Sequence, residues 1–340
     1  MTVYCGIDWA DDHHDLALVN QDGVVLAKRR ISDDSAGLAE LLELPTAHGD
    51  CAEQPIEVAI ETSSGLLVAC LRTSRPVFAI NPLAASRYRG RTSVSGKKDD
   101  HADAVVLANI LRTDRHAHRQ LPQDSDSAQA LAVLARAQQE AVWERTMAHN
   151  KLRAVLQQFF PAVLALVAGK RGGLLRPEVR TLLSAAPTPT EAAALSIVRL
   201  QTVLRRAGRE QRLLEQAQLM REVLTAPAMR QPPAVEAAFA HQVLAAVRRL
   251  ETACYNAEHL GGLLVDAFDQ HPAAKVIRSF PGLGDLTGAR LLAEIGDDPN
   301  RFADARALKA YAGASPITKA SGKSRTVFGV YQGSWTGTPS

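Results

Sequence analysis

The chain has 340 residues, of which 46% are apolar, 22% charged and only 5% aromatic, with a formal net charge of +3. That length allows two or three domains, and an aromatic-poor chain rich in Ala, Leu and Arg favours helix. Asp8, Asp11 and Asp12 interrupt the place where a secretory leader needs an apolar run, and no uncharged stretch is long enough to span a bilayer. The four cysteines (Cys5, Cys51, Cys70 and Cys254) are scattered without CxxC spacing. The expectation is a cytoplasmic protein with reduced thiols.

The first third alternates strands and helices. In "VYCGIDWA", Val3, Cys5 and Ile7 fall on one face and Tyr4, Gly6 and Asp8 on the other, a period-two strand. "DLALVNQDGVVLAKRRIS" reads as two strands joined at Asp22-Gly23, so an antiparallel meander opens the domain. "SAGLAELLEL" predicts a short helix with Ser35 as its cap, "IEVAIET" a buried strand, "SGLLVACLRTS" a helix, "VFAINP" a strand and "DDHADAVVLANILRT" a helix. Three meandering strands followed by helix-strand-helix-strand-helix is the ribonuclease H order.

The middle third is helical. Leu131, Leu134, Ala141, Ala148, Leu152, Val155 and Phe159 mark a heptad seam, interrupted by Gln138 and Arg145. Such a seam serves a coiled-coil arm, within one chain or between chains, or an ordinary buried amphipathic helix. Glycines in "GKRGGLLRPE" break the pattern, a helix pair is predicted over about 190–224, and a long helix over about 234–270. The last third opens with "SFPGLGDLTGARLLAEIGD", a helix-hairpin-helix pattern whose turn at Gly282 and Gly284 would offer backbone N–H groups to a phosphate. A helix and a Ser/Gly/Lys loop follow. The tail "TVFGVYQGSWTGTPS" is aperiodic and reads as a frameshifted or truncated end. The expected division is 1–122 catalytic α/β, 123–271 helical, and 272–340 a C-terminal domain.

Four carboxylates carry the chemistry. Asp8 and Glu61 end neighbouring strands, and Asp100 and Asp103 share one face at the start of a helix. Four converging carboxylates repel one another unless cations lie between them, and oxygen-only ligands suit Mg²⁺ or Mn²⁺. Two such ions clamp the attacking and leaving oxygens of a phosphodiester displacement. Taken singly, Asp8 reads as a turn residue, and Asp99 and Asp100 as favourable charges at a helix start. Between Glu61 and Asp99 every charge is positive, including Arg87, Arg89, Arg91, Lys97 and Lys98. That run is a phosphate track or a solvated basic face. His13 and His14 are adjacent on a strand, point to opposite faces, and make no metal pair.

"GIDWADDHHDLALV", "EVAIETSSG", "AINPLAASRYRGR" and "KKDDHADAVVLA" resemble the N-terminal blocks of the DEDD transposases of insertion-sequence family 110, whose fold is similar to a RuvC-type resolvase. "SFPGLGDLTGARLLAEIGD" and "LKAYAGASPITKASGKSR" are similar to that family's C-terminal transposase domain. The resemblance implies that Asp8, Glu61, Asp100 and Asp103 are the catalytic metal ligands; Asp99 stands where the family has Thr. The family's P-x-x-x-x-S-G block falls on Pro316 and Ser321-Gly322, which makes Ser321 the implied nucleophile ahead of Ser315 and Ser324. Lys319, Lys323 and Arg325 surround it with positive charge. The resemblance further implies donor and target DNA as partners and a structured guide RNA. The expected assembly is a homodimer or tetramer. Competing readings are a stand-alone RuvC-like nuclease, an inactive DNA-binding relic, and an actin/hexokinase-type phosphotransferase. The last is disfavoured because Trp9-Ala10-Asp11-Asp12 lacks the small and hydroxyl residues of a phosphate loop.

Overall fold

The computed structural model describes residues 2–92, 100–315, 317–321 and 324–328, with side chains for all of these except 91, 92, 100–102 and those after 315. The chain forms two compact units, one of 1–123 with 298–340 and one of 124–297.

The first unit opens with strands β1 (Val3–Trp9), β2 (His13–Asn20) and β3 (Val25–Ser32). Helix α1 (Ser35–Thr46), strand β4 (Glu57–Ile60), helix α2 (Leu66–Arg72), strand β5 (Val77–Ala79) and helices α3 (Pro82–Thr92) and α4 (Asp100–Asp114) follow. The sheet order is β3-β2-β1-β4-β5. β1 pairs antiparallel with β2 and parallel with β4, and β4 pairs parallel with β5. This is the ribonuclease H order expected from the sequence. The cap of α1 is Asp34 rather than Ser35: its carboxylate accepts from the Gly37 backbone N–H at 2.8 Å. An ionised acceptor satisfies an orphan N–H at a helix start better than a neutral hydroxyl does.

The two faces of the sheet are unlike. One buries Cys5, Ile7, Leu16, Leu18, Val58 and Ile60 with Leu41 of α1 and Leu67 and Leu71 of α2. Burial pushes the Cys5 thiol up to about 12, so it is an inert core group. The other face carries a row of small residues, because Gly6 is in register with Ala17 on one side and Ala59 on the other. That row seats α4. A Cβ on Gly6 would come 2.0 Å from the Ala104 carbonyl oxygen and 2.5 Å from the Ala108 nitrogen. Only glycine lets the helix backbone lie this close. Leu107, Ile110 and Leu111 of α4 then pack on Phe78 and Ile80.

The second unit is helical: α5 (Asp126–Phe159), α6 (Pro161–Val167), α7 (Pro177–Ala185), α8 (Pro189–Ala194), α9 (Ile197–Arg206), α10 (Leu213–Thr225), α11 (Pro233–Asp269), α12 (Ala274–Arg278) and α13 (Asp285–Ile295). The predicted helix pair is thus three helices. A Thr188–Glu191 capping box starts α8, and Ser196 starts α9 afresh at a break the periodicity does not reveal. The predicted seam of α5 faces α11 of the same chain. Leu131 clusters with Leu264 and Phe268 near one end, and Phe159 stacks on Phe239 at 4.6 Å at the other, so the two helices run antiparallel. Gln138 in the seam is buried; its side-chain oxygen accepts from the Arg290 guanidinium (Nε at 3.1 Å).

Returning to the first unit, α14 (Ala305–Tyr311) precedes an antiparallel hairpin of β6 (Ile317–Ser321) and β7 (Ser324–Phe328). The predicted Ser/Gly/Lys loop is therefore mostly strand. β-branched residues at 317, 318, 326 and 327 favour the extended backbone.

Candidate active site

The site is built at the ends of the two central strands. β1 and β4 run parallel with Ile7 in register with Ile60, so the next residues, Asp8 and Glu61, emerge side by side. Neighbouring strands lie about 4.8 Å apart. Asp8 follows Gly6, and Glu61 follows Ala59, on the face that α4 covers. Asp103 directly precedes Ala104, whose carbonyl abuts Gly6, and is 8% exposed. The small-residue row therefore delivers Asp103 to the same end of the same face as Asp8 and Glu61.

Arg89 joins two of these acids. Its Nη2 lies 3.5 Å from Glu61 Oε1, and its Nε lies 3.3 Å from Asp103 Oδ1. Glu61 and Asp103 thus face the same guanidinium. Asp100 opens α4, three residues before Asp103, and its side chain lies outside the described residues. Among the described side chains, which exclude that of Asp100, no group of three or more His, Cys, Asp or Glu is arranged to hold a metal. The donor set still fits a hard divalent ion: it is all oxygen, it lies at strand ends, and one positive group already bridges two of its members.

Asp15 is a residue the sequence reading passed over. It sits opposite Asp8 in the β1–β2 register, is 2% exposed, and is held by Arg30 through Nε at 3.0 Å and Nη2 at 2.7 Å. The signal was present: a carboxylate opening the apolar strand "DLALV" needs a partner, as Glu61 does. His13 and His14 behave as strand residues. His13 Nδ1 lies 2.6 Å from Asp12, while the buried His14 lies 3.1 Å from Asp33.

The basic run before Asp99 divides by role. The Arg72 guanidinium donates to the Pro122 carbonyl, and Arg75 is buried against Asp50 at 3.1 Å, so both hold the fold. Arg87 is exposed on α3, whereas Arg89 faces the acids. The Arg91 side chain and residues Lys97 and Lys98 lie outside the described residues.

In the C-terminal part, Ser321 closes β6 and pairs with Ser324 in register, while Lys319 and Arg325 lie on β6 and β7. Pro316, Gly322 and Lys323 and the tail from 329 lie outside the described residues. Gly282 has φ +84° in the α12–α13 turn, and Gly284 precedes the first turn of α13. That first turn already holds an acid, Asp285, paired with Arg278 Nε at 2.7 Å.

A ribonuclease H-ordered sheet with carboxylates at its central strand ends, backed by an acid-bearing helix, suits a nucleic-acid-processing enzyme. The comparisons with known proteins narrow that class to DNA transposases. A DEDD transposase model matches residues 5–161, and a model described as transposase, IS116/IS110/IS902 family, matches residues 274–329. The chain is 55% identical over 328 residues to a mini-circle putative transposase for IS117 of Streptomyces coelicolor, covering 96% of this chain and 79% of that protein. It is 33% identical over 205 residues to a putative transposase of Sinorhizobium fredii, covering 60% and 56% of the two chains. With an uncharacterized 42 kDa protein of insertion element IS900 from Mycobacterium paratuberculosis, identity is 27% over 337 residues, covering 94% and 79%. The chain belongs to the IS110 family of insertion-sequence DEDD transposases. Membership implies divalent-metal chemistry in general terms. Among the described residues no helix is long and apolar enough to cross a membrane.

Proposed function

We propose that this transposase cleaves and rejoins DNA strands with Mg²⁺ or Mn²⁺ held by Asp8, Glu61, Asp100 and Asp103, and with Ser321 as the nucleophile. The observation that carries the reading is the in-register Asp8–Glu61 pair on the α4 face, with Asp103 tied to Glu61 through one guanidinium. When bound, the cations supply charge stabilisation at the attacking and leaving oxygens of an in-line displacement. The protein's share is to orient the four acids on a rigid sheet and one helix, and to bring the Ser321 hydroxyl to the scissile phosphate. A serine hydroxyl needs such activation, because its own acidity leaves it a poor nucleophile. Lys319, Lys323 and Arg325 would hold phosphate oxygens during attack.

Arg87, Arg91, Lys97 and Lys98 are assigned to phosphates of DNA or RNA, with the Gly282–Gly284 turn as a further backbone contact in a helix-hairpin-helix. Arg89 joins them when not held by the acids. A structured guide RNA pairing with donor and target DNA is part of the proposal. The family resemblance supports it, and the exposed Arg199, Arg205 and Arg206 of α9 offer it a basic face. The functional division runs 1–122 for metal chemistry, 123–271 for the helical body and 272–340 for strand transfer. A homodimer or tetramer would let one protomer's serine serve another's acids.

The test is to trap protein–DNA adducts under denaturing conditions, with the element's end DNA, its transcribed RNA and Mg²⁺. The expected adduct disappears with Ser321→Ala and with Asp8→Asn. An adduct that survives Ser321→Ala, or maps to Ser315 or Ser324, removes the nucleophile assignment. Metal-dependent nicking without any adduct replaces the recombinase with a RuvC-like nuclease.

A further inference from the structure

Arg89 belongs to the basic run, yet its guanidinium is turned onto the acids, with separate nitrogens on Glu61 and Asp103. Its place on α3 explains this. Ala85, one turn earlier, is buried against α4 and the sheet, so the same helix face carries Arg89 towards the strand ends. Two carboxylates on neighbouring elements repel each other when nothing positive lies between them, and a guanidinium offers donors in a fixed fork that spans two acceptors.

We infer that Arg89 is the resident cation of this site: it holds Glu61 and Asp103 together when no metal is bound, and it competes with a divalent ion for them. The inference rests on the metal reading proposed above. Its geometry differs from that of a purely structural ion pair in the same unit. Arg75 and Asp50 have side chains only 6% and 10% exposed, locked into the core. The Arg89 side chain is 37% exposed, while the side chain of Asp103 is 11% exposed. The acid is fixed, whereas the arginine side chain is partly open to solvent, which leaves the guanidinium able to swing out. Once displaced, it stays within a side-chain length of the acids, where it would meet the phosphate of a bound strand. Metal binding and phosphate contact by Arg89 are then linked: each cation that enters frees one guanidinium for the substrate.

Competition of this kind has a measurable size. A site whose acids are engaged by arginine about nine-tenths of the time binds an added ion about tenfold more weakly than the open site. The probe is Mn²⁺ alone, followed by calorimetry and by the electron paramagnetic resonance signal of the free ion, on the full chain without DNA. Arg89→Gln should bind Mn²⁺ about tenfold more tightly than the wild type. Its metal-free Tm should fall, and Mn²⁺ should restore it by more than it raises that of the wild type. Arg89→Lys keeps the charge without the fork and should fall between the two; it keeps the test open if the glutamine variant does not fold. Mn²⁺ affinity unchanged or weakened in both variants, with their circular dichroism native, overturns the inference while leaving the metal site in place. Failure of the metal reading itself looks different: neither the wild type nor Arg89→Gln takes up Mn²⁺, and Asp103→Asn behaves as they do.

Discussion

Among the described residues, Arg278 and Arg89 each bridge two carboxylates, in unlike surroundings. In the helical unit, Arg278 pairs with Asp269 at the end of α11 and with Asp285 at the start of α13, and its guanidinium lies 5.1 Å from the centre of the Phe268 ring. In the sheet unit, Arg89 pairs with Glu61 and Asp103. The two arginine side chains are equally exposed, at 37%. Their acids are not: Asp269 and Asp285 are 49% and 55% exposed, whereas Asp103 and Glu61 are 11% and 28% exposed. Exposed acids at helix ends are solvated whether or not the arginine is there. Acids fixed on strand ends and on a helix seated against a glycine retain a demand for positive charge. Desolvated carboxylates held on rigid elements, rather than the ion bridge itself, are what distinguish a cation site from a stitch between helices.

That distinction can be broken by substitution. Asp8→Asn should reduce DNA strand cleavage to background in a nicking assay while filter binding of DNA stays largely intact, because the substitution removes a proposed metal ligand and leaves the basic side chains. Cleavage retained by Asp8→Asn would reduce the sheet-end acids to the same status as the helix-end pair. Gly6→Ala comes next. The added methyl has no room against the Ala104 carbonyl, so α4 must shift and carry Asp103 with it. We expect destabilisation of about 1–3 kcal/mol by denaturant unfolding, together with weakened Mn²⁺ binding. A Gly6→Ala protein with native stability would show that α4 is not seated as described.

Arg278→Gln should cost at most about 1 kcal/mol, since the pairs it breaks are exposed and screened by salt. It should leave Mn²⁺ affinity unaltered, in contrast to Arg89→Gln. The smallest effect is a pH dependence confined to the helical unit. Burial pushes the Asp297 carboxyl up, but hydrogen bonds from the Ser125 hydroxyl (2.6 Å) and backbone N–H (2.8 Å) and from His271 (3.2 Å) outweigh it and leave the group below its ordinary 3.8. A depressed folded-state value means the anchor contributes above the unfolded value and is lost as pH falls through the lower folded one. Asp297→Asn should therefore lower Tm at pH 6, with the gap to the wild type closing below about pH 4. A gap independent of pH would assign the loss to packing instead.

Much of this was legible in the chain. Alternation in "VYCGIDWA" and the apolar run in "IEVAIE" locate the two central strands, and the turn at Asp22-Gly23 dictates the meander. Asp8 and Glu61 could be nominated as carboxylates at the ends of neighbouring strands, Glu61 also because a carboxylate on an apolar strand is costly, and Asp103 because it shares a helix face with Asp100. The seam of α5 was legible too, although its partner was not: the same heptads would serve another chain as well as α11. Local breaks were read less well. Three helices appear as two where a capping box and a second cap restart the chain within the 189–206 stretch, and a hairpin appears as a loop where Ser, Gly and Lys hide its β-branched residues.

The sequence by itself determined the strand-and-helix order of the sheet unit, since periodicity acts along the chain, and it nominated the acids from their places at strand ends and on one helix face. It could not determine that Ala17, Gly6 and Ala59 align across three strands to seat α4, because register is set by contacts between segments far apart in sequence. Nor could it assign Arg89 to the acids and Arg87 to the solvent. The two differ by two positions on one helix, and only the packing of Ala85 against α4 decides which of them faces inward.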